Sequence, residues 1–124
     1  MKALLSIKPE FVSKIFTGEK IFEYRKAVFK RPMVKTVVIY STMPVGKIVG
    51  EFEIEEIIEL PPQDLWHKTS EHSGISKEFF DSYFIKKNTA FAIKIKNFIR
   101  YEHPVDPYLT YSNFKAPQSF KYID

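Results

Sequence analysis

Gly46-Lys47-Ile48-Val49-Gly50-Glu51-Phe52-Glu53-Ile54-Glu55-Glu56-Ile57-Ile58-Glu59-Leu60 is the longest alternating stretch of the chain. Ile48, Phe52, Ile54, Ile58 and Leu60 fall on one side of an extended backbone. Glu51, Glu53, Glu55 and Glu59 fall on the other, because successive side chains of a strand point to opposite faces. Fifteen residues are too many for a flat strand in a small domain, where about 5–6 are typical. Gly50 inside the stretch marks a bend or a close backbone approach. A long strand bent around a core is what a small closed or half-closed barrel uses.

Outward from this strand the elements follow from local pattern. Met43-Pro44-Val45-Gly46 turns the chain back into Lys35–Ser41, where Val37-Val38-Ile39-Tyr40 is apolar on both faces and therefore central in a sheet. Lys20–Lys26 alternates aromatic and β-branched residues with charges, a half-buried strand. Before it, Phe11, Val12, Ile15 and Phe16 make one apolar face of a short helix entered at Pro9 and ended by Gly18. Lys2–Ile7 reads as a strand. On the far side, Pro61-Pro62 breaks the long strand and Asp64–Lys68 forms a turn or two of helix. Ser76 caps a further helix, with Ile75 and Phe80 as its hydrophobic staple. Phe91, Ile93 and Ile95 alternate in another strand. Irregular chain with Pro104, Pro107 and Pro117 leads to a last strand at Ser119–Ile123. The expected architecture is α+β, a small curved, mostly antiparallel β-barrel with helices packed at its ends, in a single domain over residues 1–124.

Composition narrows the function. The 124 residues are 44% hydrophobic and 27% charged, close to a soluble globular average. There is no cysteine, which excludes a disulfide framework, a thiolate-bound zinc site and a cysteine nucleophile. His67 and His72 lack helical ligand spacing, so no metal and no cofactor are expected. The longest apolar run is four residues and Met1–Ser6 does not resemble a signal peptide, so a cytoplasmic chain without a membrane partner is expected. The net charge of +4 hides a division. Residues 1–49 carry ten Lys and Arg against three acids, residues 50–85 two against nine, and residues 86–124 seven against three. Such basic ends suit a polyanion.

The chemistry concentrates in Gly18-Glu19-Lys20-Ile21-Phe22-Glu23-Tyr24-Arg25. Arg25 offers a planar fork of donors for phosphate or a base edge. Lys20 adds a point charge. Glu23 either holds Arg25 in one rotamer or accepts from an exocyclic amine. Ser41 and Thr42 supply hydroxyls at a strand end, and Lys8, Lys26, Lys30, Arg31 and Lys47 form a basic approach. Strict alternation sends Lys20 to the face opposite Glu23 and Arg25, so the three converge only if Lys20 sits in the turn or a bulge intervenes. Phe11, Phe79, Phe80 and Phe84 are in amphipathic register and read as core. Tyr24, Tyr108, Tyr111, Phe114 and Tyr122 are the aromatics placed to stack bases or to be buried.

The octapeptide matches G-x-K-x-x-E-x-R and resembles the signature of the ASCH superfamily. The likeness extends to Leu4–Pro9, to Tyr40-Ser41-Thr42-Met43-Pro44 with Gly46–Phe52, and to the closing Pro117–Ile123. The resemblance implies a PUA-like barrel of the small stand-alone type, with a ligand cavity beside it. By the same resemblance that cavity would take RNA or a nucleotide-like ligand, in a role in RNA metabolism or regulation. Its lining would comprise Lys8, Lys20, Glu23, Arg25, Lys26, Ser41, Thr42, Lys47, Gln118 and Ser119. Some members of the superfamily look like amidohydrolases of N4-acetylcytidine, using a lysine and a threonine of the signature plus a glutamate further on. Here Lys20 is kept but Glu23 stands where the threonine is expected, and a carboxylate nucleophile would form an anhydride. Others are suggested ribonucleases, in which Lys20 and Glu23 would be the catalytic pair. Binding is therefore the first expectation, hydrolysis of a modified nucleoside or RNA the alternative, and a protein-interaction module the third.

Overall fold

The computed structural model describes every residue from Met1 to Asp124. Six strands form one sheet: β1 (Lys2–Ile7), β2 (Phe22–Arg25), β3 (Thr36–Ser41), β4 (Lys47–Leu60), β5 (Ala90–Val105) and β6 (Phe120–Ile123), in the order β2-β5-β4-β3-β1-β6. Only β1 and β3 run parallel; the other pairs are antiparallel. Helices α1 (Pro9–Thr17), α2 (Pro62–Thr69), α3 (Lys77–Tyr83) and α4 (Pro107–Thr110) complete the fold, with a 3₁₀ turn at Ser70–His72. No helix is long and apolar enough to cross a membrane.

Local signals explain most boundaries. Gly18 ends α1 at φ 85°, its N–H donating to the Ile15 carbonyl. Ser76 accepts from the Phe79 N–H at 3.0 Å and so satisfies one of the free donors at the start of α3. Ile75 and Phe80 meet in one cluster with Leu65, Phe84, Phe22, Tyr24 and Ala92, which seats α2 and α3 on the sheet. Burying a side chain such as Phe80 contributes about 1.5–3 kcal/mol.

The central strands bury both faces, as their composition requires. Ala3, Leu5, Ile7, Val37 and Ile39 point into the barrel against Val12 and Ile15 of α1. Leu4, Val38 and Tyr40 point the other way, onto Ile48 and Phe114. The long strand departs from the expected single apolar side. Register shifts at Ile48/Gly50, Phe52/Glu53 and Ile54/Glu56 rotate the chain between them. Ile48, Phe52 and Ile58 consequently enter three different clusters. The expected strand at Phe91–Ile95 runs on to Val105 and takes in Pro104. Its outer half is exposed and carries no alternation, and it is strand because β4 extends far enough to pair with it.

The barrel is half-closed. β2 and β6 are the two edges of the sheet and do not pair. Instead Arg25 crosses the gap, donating from Nη2 to the Ser6 carbonyl at 2.7 Å and from Nη1 to the Ser119 carbonyl at 3.2 Å. Phe29 and Phe120 pack edge to face at 5.6 Å between ring centres beside the same seam.

Candidate functional site

Beside this seam lies a cavity of about 290 Å³ lined by both charged and aromatic groups, at the small end of ligand-sized cavities. Lys20, Glu23 and Arg25 come together there, only 2%, 6% and 8% exposed. The alternation problem is resolved by the turn. β2 begins at Phe22, and Lys20 precedes it in the chain leaving α1, its N–H bonded to the Lys14 carbonyl at 3.0 Å. Ile21 donates to the His72 carbonyl at 2.9 Å, tying this turn to the segment ahead of α3.

Lys20 is held from several elements. Its stem lies so close to Gly74 that a Cβ there would sit 2.6 Å from the lysine's own Cβ. Its Nζ donates to the Ser73 carbonyl at 2.7 Å. The Tyr24 and Phe11 ring centres lie 4.9 and 5.4 Å from the same nitrogen, within cation–π range. Burial brings its pKa down from 10.5 to about 8, with Arg25 and Lys14 acting in the same direction and Glu23 opposing them.

Glu23 uses its two oxygens differently. Oε2 accepts from Arg25 Nε at 3.0 Å and contacts Nη2 at 2.9 Å. Oε1 has no hydrogen bond within the chain; Lys20 Nζ is 3.9 Å away. Arg25 is thus largely committed to Glu23, Ser6 and Ser119, whereas Lys20 retains two N–H groups and Glu23 a whole oxygen. Tyr24 is anchored through its hydroxyl, 2.7 Å from Thr69 Oγ1. Thr69 spends its own proton on the Leu65 carbonyl, so the tyrosine is the donor. Burial pushes the Tyr24 phenol up to about 12 and raises Tyr83 as well.

The residues expected at the site divide into two groups. Lys8, Thr42 and Gln118 line the cavity with the three signature side chains. Lys26 does not; its Nζ lies 4.7 Å from the Tyr83 ring centre. Lys47 is exposed on β4, and Ser119 contributes its carbonyl to Arg25. Ser41 and Thr42 are split, because consecutive side chains at the end of β3 face opposite ways. Ser41 lines a different cavity. The walls missed by sequence are Phe11, Phe79 and Tyr83, with Ile75, Ser6 and Ile7. Phe11 meets Phe79 edge to face at 5.2 Å, and Phe79 lies nearly parallel to Tyr83 at 12°. A usable signal existed: α3 carries aromatics at 79, 80, 83 and 84, a stripe wider than one core contact needs. Phe80 and Phe84 go to the core, Tyr83 packs at its edge and also lines the cavity, and Phe79 lines the cavity. No three His, Asp or Glu side chains gather in an arrangement for a metal ion.

Comparison with known proteins adds context to this geometry. The ASCH domain family model matches residues 5–99. The large ribosomal subunit protein uL22 of Ureaplasma parvum serovar 3 is 36% identical over 87 residues, 70% of this chain, and the match spans only 28% of that protein. An ASCH domain-containing ribonuclease of Zymomonas mobilis is 27% identical over 124 residues, 98% of this chain and 84% of that protein. The crystal structure of ASCH from Zymomonas mobilis superposes with a TM-score of 0.91 at 25% identity, over 99% of this chain and 87% of that one. The N-terminal domain of Staphylothermus marinus McrB shares the fold alone, with a TM-score of 0.52 at 14% identity over 86% of this chain and 76% of that one.

Proposed function

The chain belongs to the ASCH domain family, and from that premise we propose that it binds RNA by taking one nucleotide into the cavity between α1 and α3. The observation that carries this reading is a single hollow that sets Lys20, Glu23 and Gln118 against the rings of Phe11, Phe79 and Tyr83. Stacking on an aromatic wall is worth about 1–3 kcal/mol per base. The free Glu23 oxygen accepts from a base N–H, and Lys20 donates to a neighbouring acceptor on the same ring edge. Lys8, beside the Phe79 ring at 5.1 Å, meets the phosphate. Arg25 holds the Glu23 carboxylate in place and bridges the seam rather than carrying phosphate itself.

A second reading, RNA cleavage, is favoured by the titration of Lys20 near pH 8 and by a relative named as a ribonuclease. In it the neutral Lys20 amine takes the proton of a ribose 2′-hydroxyl. The 2′-oxygen bonds to phosphorus, the bond from phosphorus to the 5′-oxygen breaks, and the proton passes to that leaving oxygen.

Fluorescence anisotropy with a labelled single-stranded RNA tests binding. Lys20→Met and Phe79→Ala are each expected to weaken it about tenfold or more, while Lys35→Ala, an exposed lysine on the opposite rim of the sheet, costs only its share of the salt dependence. Equal losses at Lys20 and Lys35 overturn the positioned cavity and leave diffuse charge. For cleavage, Lys20→Arg keeps the charge but cannot act as base; it retains binding and stops product formation. Wild-type turnover is expected to rise with pH through about 8. A flat pH profile, or product from Lys20→Arg, overturns the second reading.

A further inference from the structure

The opposite flank of α1 holds a second cavity, of about 380 Å³, between that helix and the outer half of the β4–β5 pair. Val12 and Phe16 of α1 form one wall, Val45, Val49 and Tyr101 the other. The wall exists because of Gly50: a Cβ there would lie 2.7 Å from the Phe16 ring and 2.4 Å from the Ile99 carbonyl. Phe16 therefore rests on bare backbone, and Arg100, paired in register with Gly50, stands over it with its guanidinium carbon 5.7 Å from the ring centre.

Two polar groups on the wall of this hollow facing α1 have no partner in the chain, the exposed Arg100 and the buried Ser41. Arg100 forms no ion pair. Ser41 is 2% exposed, and its hydroxyl makes no hydrogen bond within the chain although every fully enclosed side-chain donor and acceptor does; what access it has is through the cavity it lines. Of the other hydroxyls lining the cavity, Ser13 is exposed to solvent on α1 and those of Tyr101 and Thr17 are engaged. Tyr101 donates to Glu51 at 2.6 Å, and Thr17 to the Lys14 carbonyl and to Glu19 at 3.1 and 3.2 Å. Tyr101 thus offers its ring and not a proton. A hydroxyl without a partner in the chain, lining the same cavity as a guanidinium without a counter-ion, is free to take an incoming acceptor.

We propose that this cavity is a binding site for a small monocarboxylate with an aromatic or branched apolar body. The carboxylate bridges Arg100 and Ser41, and the body lies between Phe16 and the valines. One cation lines the hollow, which matches a single negative charge. The planar guanidinium fork fits a carboxylate in two-point contact, and a dianion would find only this one cation among the lining residues. The site shares α1 with the first cavity but none of its lining residues, so it does not depend on the RNA reading.

Benzoate is the probe, titrated into the full chain and followed by backbone amide chemical shifts, with benzyl alcohol as the neutral analogue and phenyl phosphate as the dianion. Saturable shifts at Phe16, Ser41 and Arg100 are expected with benzoate. Arg100→Gln is expected to weaken it about tenfold or more and Ser41→Ala about threefold, both with otherwise native spectra. Lys20→Met is expected to leave it unchanged. The proposal is overturned if benzyl alcohol binds as well as benzoate, if phenyl phosphate binds better, if Arg100→Gln has no effect, or if no probe saturates. Loss of benzoate binding in Lys20→Met would place the probe in the first cavity and also overturn it.

Discussion

Two lysine–glutamate pairs in this molecule behave in opposite ways. Lys94 of β5, in register with Phe22 of β2, reaches Glu55 at 2.9 Å on the outer surface. Each partner there favours the other's charge: the lysine is raised and the glutamate lowered by their hydrogen bond. Lys20 and Glu23 are 3.9 Å apart in the interior, yet Lys20 is lowered to about 8 because loss of solvent outweighs the attraction of the carboxylate. The chemical groups are the same. Solvent makes one lysine a surface ornament and its absence makes the other a candidate for proton transfer.

The largest expected effect follows from removing the only carboxylate between two buried cations. Glu23→Gln leaves Lys20 and Arg25 without neutralisation and loosens the bridge across the seam. We expect a loss of about 3 kcal/mol or more in urea unfolding; a loss under about 1 kcal/mol would mean the cluster is effectively solvated. Next comes the pH dependence. Folded Lys20 releases its proton near 8 and the unfolded lysine near 10.5, so between those values the unfolded chain binds more protons and stability rises with pH. The rise is about 3 kcal/mol in full. Tyr24 opposes it at higher pH: its phenol ionises from about 10 unfolded but about 12 folded, so its contribution is lost above pH 10. Unfolding midpoints should climb from pH 8 towards 10 and then fall, and Lys20→Met should flatten the climb. A climb that survives this substitution would assign the titration to another group. The smallest effect is at the surface pair, where Lys94→Gln is expected to leave the urea midpoint unchanged. A clear drop there would erase the distinction between the two pairs.

Much of this was legible because it depends on short stretches of chain. Pro9 and Gly18 bound α1, and Ser76 caps α3, through contacts within four residues. The length of β4 announced a bent strand. Where the apolar side chains of β4 would go was not legible, because the register shifts belong to its pairing with β5. The outer half of β5 is not legible for the same reason: its exposed residues carry no alternation, and Pro104 argues against a strand until a long neighbour is in place. At the site, the octapeptide brought Lys20, Glu23 and Arg25 near one another in sequence. The separation of Ser41 from Thr42 into two cavities, and the turning of Phe79 and Tyr83 towards the first of them, required the packing of helices on the sheet.

Residues close in sequence thus settled which segments are helix or strand, where most of them stop, and which charged side chains are neighbours. Folding alone decided that those charges are enclosed. The desolvation that lowers the Lys20 pKa comes from its enclosure by Phe11 on one helix, the Gly74 turn far along the chain, and Tyr24 of β2. A pKa responds to how much water is excluded around a group, and that exclusion is a sum over distant parts of the chain that no local stretch contains.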